Sequence, residues 1–411
     1  MQVVSNRVRA AARSFAPVER FYFQSRYAAR RSEPGISDFT FGNPHEMPLA
    51  GLVEAVRHHA VPHNKDWFAY KTSEAEPQAF LADRLSQELA LPFEPADLAL
   101  TTGGFAAISV AVRLLLDVGD EAVFSLPGWF CYEPLLHAAD AIPRKVTLRP
   151  GSFDLDLSAI EAAISPWTRL VIINTPHNPT GRIYSRDEIV ALADLLDRAS
   201  DRIGRRIFLL SDEPYRRIRF DGREFVNPAA VYPWTVITYS YGKVLLAPGQ
   251  RLGYLALSPL MPRPERQALQ DSLFAAQMAL GWCFPNAVMQ YAIPDLEGLS
   301  IDMHALSAKR TRMIEALARV GYEVLPPEGT FYLFCKSPGA DPDRFWDALA
   351  DRDVFVMPGR VMERPDYFRL SLTASDAMID RSLPIFAEVA DRMRKEPQPA
   401  TCRIGQHRLT G

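Results

Sequence analysis

The chain has 411 residues, 48% of them hydrophobic, with a formal net charge of −3 from 46 basic and 49 acidic side chains. That is ample apolar material for a core spread over two or three domains, which excludes disorder as the default, and the charge balance offers no basic field for nucleic acid. No apolar run reaches the roughly 18 residues of a membrane span, and Cys131, Cys283, Cys335 and Cys402 are too scattered for a CxxC pair or a zinc site.

These observations point to a soluble, cytoplasmic protein with reduced thiols, no metal and a small-molecule partner. At the N-terminus, Arg7, Arg9, Arg13, Arg20, Arg26, Arg30 and Arg31 give the Arg-rich, acid-poor composition that organelle transit peptides also have. There is no small-residue cleavage pattern, however, and Phe15, Phe21, Tyr22 and Phe23 are able to pack. A structured arm is the expectation.

From residue 98 to 257 short apolar runs alternate with helical patterns, the signature of a mostly parallel sheet with right-handed crossovers. Strands are predicted at 98–102, 122–125, 170–174, 207–211, 236–240 and 254–257, with helices at 106–116 and 187–199. The second helix is entered through Ser185 with Glu188 three residues on, a capping box. After about residue 290 the pattern changes to a long helix at 303–320, short strands near 323–325, 331–334 and 368–372, and a closing helix to about residue 394. The tail, 396–411, has little to bury and is expected to be mobile.

Three strings fall at strand ends, where open α/β sheets bind ligands. In Thr102-Gly103-Gly104-Phe105, glycines at a strand-to-helix turn free backbone N–H groups to face an anion at a helix N-terminus, although such a pair is more often simply a turn. In Asn174-Thr175-Pro176-His177-Asn178-Pro179-Thr180-Gly181, two prolines and a glycine fix an irregular loop. Its bland reading is a rigid loop; its sharper one aims Asn178 at a ligand oxygen.

The third string is Ser240-Tyr241-Gly242-Lys243, followed by Arg251-Leu252-Gly253-Tyr254. Only seven lysines stand against thirty-nine arginines. Lys243 sits just past an apolar strand beside a glycine, where desolvation favours the neutral amine that Schiff-base chemistry needs. By itself it would default to a surface lysine.

With Ser211-Asp212-Glu213-Pro214-Tyr215 added, the order and spacing of NxPxNPTG, DExY and SxxK with a following RxGY resemble the fold-type I pyridoxal-phosphate enzymes, specifically the class I/II aminotransferases. The resemblance runs from about residue 42 to 373. It implies a three-layer α/β/α large domain with a mostly parallel sheet and a smaller α+β domain. The expected division is an arm at 1–45 that contributes to the small domain and covers the active site, a cofactor domain at 46–290, a small domain at 291–395, and the tail.

The resemblance also implies roles. Lys243 would attach pyridoxal 5′-phosphate as a Schiff base and move the substrate proton, and Asp212 would pair with the pyridine nitrogen and keep it protonated. Asn178 and Tyr215 would donate to the ring's phenolic oxygen, and Trp129 would stack on the ring. The phosphate would be held by the amides of Gly103, Gly104 and Phe105, by Ser240, by Arg251 and, from a neighbouring subunit, by Tyr70. Gly42, Asn178 and Arg369 would meet the substrate, Arg369 gripping its α-carboxylate through a planar fork.

Three positions depart from the family pattern: Gly242 replaces a hydroxyl residue, 75–80 replaces GxxxLR, and Phe105 stands where a polar residue is common. The implied activity is transfer of an amino group between an L-amino acid and a 2-oxo acid, by a homodimer with shared active sites. The alternatives are another reaction on the same scaffold (β-elimination, decarboxylation or oxidation) and a non-catalytic sensor, the latter disfavoured because about 40 residues precede the large-domain motifs. For the substrate side chain, Trp129, Phe130, Trp282 and Phe284 suggest an apolar pocket, while Arg217 suggests a partner for a distal carboxylate.

Overall fold

The computed structural model describes residues 3–281 and 284–395. Trp282, Cys283, Cys402 and the tail at 396–411 therefore lie outside the described residues. Among the described residues eleven strands form two sheets: β1 Ser37–Phe39, β2 Leu98–Thr101, β3 Glu121–Leu126, β4 Ile142–Thr147, β5 Thr168–Asn174, β6 Phe208–Asp212, β7 Thr235–Ser240, β8 Gly253–Leu257, β9 Tyr332–Lys336, β10 Val354–Pro358 and β11 Tyr367–Ser371.

The larger sheet has the order β2-β8-β7-β6-β5-β3-β4. Pairing is antiparallel on both sides of β8 and parallel elsewhere, so every strand but β8 runs the same way. Side chains alternate strictly across it. Leu170 and Ile172 of β5, with Leu255 and Leu257 of β8, join the core under helices Gly104–Leu115 and Arg263–Ala279. On the opposite face, Val171 and Ile173 meet helix Arg186–Ile203, and Tyr254 and Ala256 meet helix Ala75–Leu89. Both faces are thus apolar, which is why these strands read as continuous hydrophobic runs.

Helix Arg186–Ile203 starts at the predicted capping box, with Ser185 and Glu188 bonding reciprocally, and ends at Gly204 in the left-handed region. The helix predicted at 106–116 begins two residues earlier, at Gly104, which makes Gly103 its N-cap. Two strands carried no readable signal. β4 is an edge strand whose Pro143, Arg144 and Lys145 break the apolar run, as exposed edges require. β1 has three residues, too few for a periodicity, and gains its place by pairing with β10.

The smaller sheet has the order β1-β10-β11-β9, with β1 parallel to β10 and the rest antiparallel. β10 was not predicted, and the strand expected at 323–325 is only a single bridge from Val324 to Cys335. Helices Met303–Arg319 and Asp376–Lys395 pack together on this sheet's side of the molecule. No helix among the described residues is long and apolar enough to cross a membrane.

One buried ion pair fastens the start of β2 to the outer helix layer. Asp97, fully buried, accepts from Arg266 Nε at 2.6 Å and from Arg266 Nη2, from Gln270 Nε2 at 2.9 Å, and from the Glu94 amide at 2.8 Å. Removing one partner leaves the other charge buried and uncompensated, at a cost of about 3 kcal/mol. Asp97→Ala is accordingly expected to lower unfolding stability in urea by about that amount.

Candidate active site

Because six strands run the same way, the carboxyl ends of β2, β7, β6, β5 and β3 share one edge of the sheet, and the residues leaving them converge there. A cavity of about 220 Å³ opens at this edge. It is lined from the large sheet by Gly104, Trp129, Asn174, Asp212, Ser240 and Lys243, and from the small sheet by Tyr332 and Arg369.

At its floor Asp212 ends β6. Its Oδ2 accepts from the Tyr132 hydroxyl at 2.5 Å and from Asn174 Nδ2 at 3.3 Å, and its Oδ1 accepts from the Thr238 hydroxyl at 3.1 Å. Burial pushes the carboxyl up to about 6; the Tyr132 and Thr238 bonds, and the nearby Lys243, oppose that rise. Asp212 is therefore mostly ionised at neutral pH although it is buried.

One wall carries an anion cradle. Gly103 has φ +89°, a backbone that side-chain-bearing residues avoid, and a Cβ built on it would lie 2.6 Å from the Arg251 guanidinium. A Cβ on Gly104 would meet Ser240 Cβ at 3.0 Å. The first amides of helix Gly104–Leu115, the Ser240 hydroxyl and Arg251 are thus brought to one place, as an anion requires. Gly242, the departure from the family's hydroxyl residue, has a backbone reason: a Cβ there would lie 2.9 Å from Pro248 Cα.

Opposite the cradle, Arg369 is almost fully buried. Its Nη1 donates to Asn178 Oδ1 at 2.8 Å and its Nη2 to the Thr40 carbonyl at 2.8 Å, while its Nε is a buried donor without a partner among the described residues. The guanidinium lies 3.9 Å above the Tyr332 ring. Gly42 adjoins both Phe331 and Tyr332, with no room for a side chain. Tyr215 is buried 5.9 Å from Lys243 Nζ to its ring centre, and burial, reinforced by Tyr332, holds its phenol well above the ordinary range and keeps it a donor.

Most of the sequence-predicted site residues meet here: Gly42, Gly104, Phe105, Trp129, Asn178, Asp212, Tyr215, Ser240, Lys243, Arg251 and Arg369 all line the cavity, with Gly103 directly behind. Tyr70 does not; it is fully exposed on this chain's surface. Two side-chain pocket candidates are corrected. Arg217 is tied up by the Glu297 carbonyl at 2.5 Å and the Glu297 carboxylate at 3.4 Å, so it is not free for a ligand. Phe284 stacks on Phe274 outside the cavity, at 5.8 Å between ring centres.

Sequence reasoning missed four contributors. Asn174 was read only as part of its loop, yet it joins Asp212 to the Asn178 amide, accepting the latter at 2.7 Å. Tyr132, Thr238 and Tyr332 were passed over. The available signal was a threonine in the middle of strand 235–240, in register with Asp212, and a tyrosine on the first turn after Trp129.

The comparisons with known proteins agree with this geometry. The profile of the family described as "Aminotransferase class I and II" matches residues 35–384. The chain belongs to that family. Among its relatives are the aspartate/prephenate aminotransferase of Thermus thermophilus, 27% identical over 88% of this chain and 93% of the relative, and kynurenine–oxoglutarate transaminase 1 of Mus musculus, 27% identical over 65% and 63%. An amino transferase of Eubacterium rectale superposes with a TM-score of 0.85 at 28% identity, covering 96% of this chain and all of that one.

The protein is thus an aminotransferase of the pyridoxal-phosphate class, moving an amino group between an amino acid and a 2-oxo acid. The cavity fits that cofactor chemically: it offers an anion cradle for a phosphate, a buried carboxylate for a protonated ring nitrogen and one lysine between them.

Two outcomes follow from the electrostatics. Tyr132→Phe removes a bond that favours ionised Asp212, so the acid limb of a kcat/KM profile is expected to move to higher pH. His177, buried in the Asn178 loop and bonded to Thr180 at 2.7 Å, is held by burial at about 3 rather than 6.5. The unfolded chain then binds a proton that the folded one refuses. Stability is complete above pH 6.5 and is lost as pH falls toward 3, by about 2 kcal/mol at pH 5. Denaturant titrations at pH 7 and pH 5 should show that loss, reduced in His177→Gln.

Proposed function

We propose that Lys243 is the residue that binds the cofactor covalently and carries the proton during amino transfer, with Asp212 and Arg369 as its two indispensable partners. The carrying observation is that these three side chains, from β6, the turn after β7 and the small sheet's β11, line one cavity beside the anion cradle. When bound, the cofactor supplies an electron sink for the charge released at the substrate's α-carbon.

The chain's own groups do the rest. Arg369 orients the α-carboxylate, with Asn178 fixing its guanidinium from behind and the Gly42 backbone closing that side. Asp212, kept ionised by Tyr132, Thr238 and Asn174, holds a proton on the ring nitrogen. Tyr215 and the Nδ2 of Asn178 donate to the ring oxygen, and Trp129 covers the ring face. Gly103, Gly104, Phe105, Ser240 and Arg251 hold the phosphate. Lys243 Nζ would take the proton from the substrate's α-carbon and deliver it to the cofactor carbon that bears the transferred nitrogen, and do the reverse with the 2-oxo acid.

The working molecule in this reading is a cytoplasmic homodimer, each chain divided into an arm at 1–45, a cofactor domain at 46–290 and a small domain at 291–395. Full exposure of Tyr70 supports a role for it in the neighbouring subunit's phosphate site.

Mixing the holoenzyme with single amino acids and following cofactor absorbance tests the activity: at least one should change the spectrum, and a 2-oxo acid should reverse it. No change with any amino acid would reject amino transfer. Lys243→Ala is expected to abolish turnover, and Arg369→Lys to raise KM for the amino acid by roughly tenfold to a hundredfold through the lost fork.

A further inference from the structure

The lining not assigned to cofactor or α-carboxylate includes Phe41, Asn43, Ile108 and Phe130, with the Phe105 and Trp129 rings beside it. Phe105 meets Trp129 edge-on, with ring centres 5.2 Å apart at 83°. The outer walls are braced from behind by the N-terminal arm: Phe15 lies 6.1 Å from Phe130, and Tyr22 and Phe21 lie 5.5 Å and 6.1 Å from Phe41. These rings are held in place before any ligand arrives.

Charge is the second observation. Among the described residues, the cations lining this cavity are Lys243, Arg251 and Arg369, and the reading above commits all three. Two others, Lys145 and Arg360, line a separate cavity behind Trp129 and Phe130. There Lys145 is paired with Glu133 and Glu363 at 2.7 Å each, and Arg360 is paired with Asp343. A second carboxylate entering this part of the cavity would be desolvated and would meet no uncommitted cation of its own chain.

We infer that the side chain this enzyme selects is bulky, apolar and uncharged, an aromatic amino acid and its 2-oxo acid, and that Phe130 and Phe41 are the specificity-determining residues. This rests on the aminotransferase reading of the site and adds the substrate class to it. A ring placed against Phe130 and Phe41 buries its surface on walls already fixed, whereas aspartate or glutamate exchanges water for an apolar face.

The test compares single-turnover kcat/KM of the holoenzyme for phenylalanine, tyrosine, leucine, aspartate and glutamate, alongside titration with the unreactive acids 3-phenylpropionate and succinate. Phenylalanine or tyrosine should exceed aspartate and glutamate by at least about tenfold, and 3-phenylpropionate should bind more tightly than succinate. Phe130→Ala and Phe41→Ala should each narrow that ratio mainly through KM. Equal or faster turnover of aspartate or glutamate overturns the inference and leaves amino transfer standing. If no amino acid reacts, amino transfer fails instead, and the two acids still decide the pocket: tighter succinate binding overturns it.

Discussion

The site depends on keeping one carboxylate ionised inside the protein. Asp212 ends a central strand, where both sheet faces are apolar and burial alone would drive it toward the neutral acid. Three donors answer that cost: Tyr132 from the helix after β3, Asn174 from the end of β5 and Thr238 from the neighbouring β7. Each comes from a different element, so the carboxylate is held by the sheet's topology and not by one loop. A fixed negative charge at the carboxyl edge then defines where a protonated ring can sit.

The remaining polar groups are arranged outward from that point. Asn174 spans Asp212 and Asn178, and Asn178 in turn accepts from Arg369 on the other sheet. A continuous polar chain therefore links the floor of the large sheet to Arg369 of the small one. In a cavity of low dielectric each of these contacts acts more strongly than it would in water. The same low dielectric makes the aromatic side of the cavity selective, because an unpaired charge is penalised there.

Much of this is legible in the amino-acid sequence. Strands buried on both faces declare themselves as apolar runs, and the residues that follow them, Gly103, Asn178, Asp212, Tyr215 and Lys243, stand out because a polar or glycine string abruptly ends such a run. What stayed hidden has physical reasons. β4 is an edge strand written in charge, and β1 is three residues long and exists only because β10 is there to pair with it. Tyr132, Thr238 and Tyr332 act through positions that only the register and the packing of two sheets bring together. Arg217 misled for the opposite reason: a charge near a site in sequence is consumed by Glu297 in space. Gly242 looked like a departure in chemistry and is a matter of room beside Pro248.

The central claim is that a single lysine out of seven holds the cofactor. Borohydride reduction of the purified holoenzyme, followed by proteolysis and mass mapping, tests it directly. The cofactor's mass should be found on the peptide carrying Lys243, and no reducible attachment should remain in Lys243→Ala. An adduct on any other lysine, or one that survives that substitution, would contradict it.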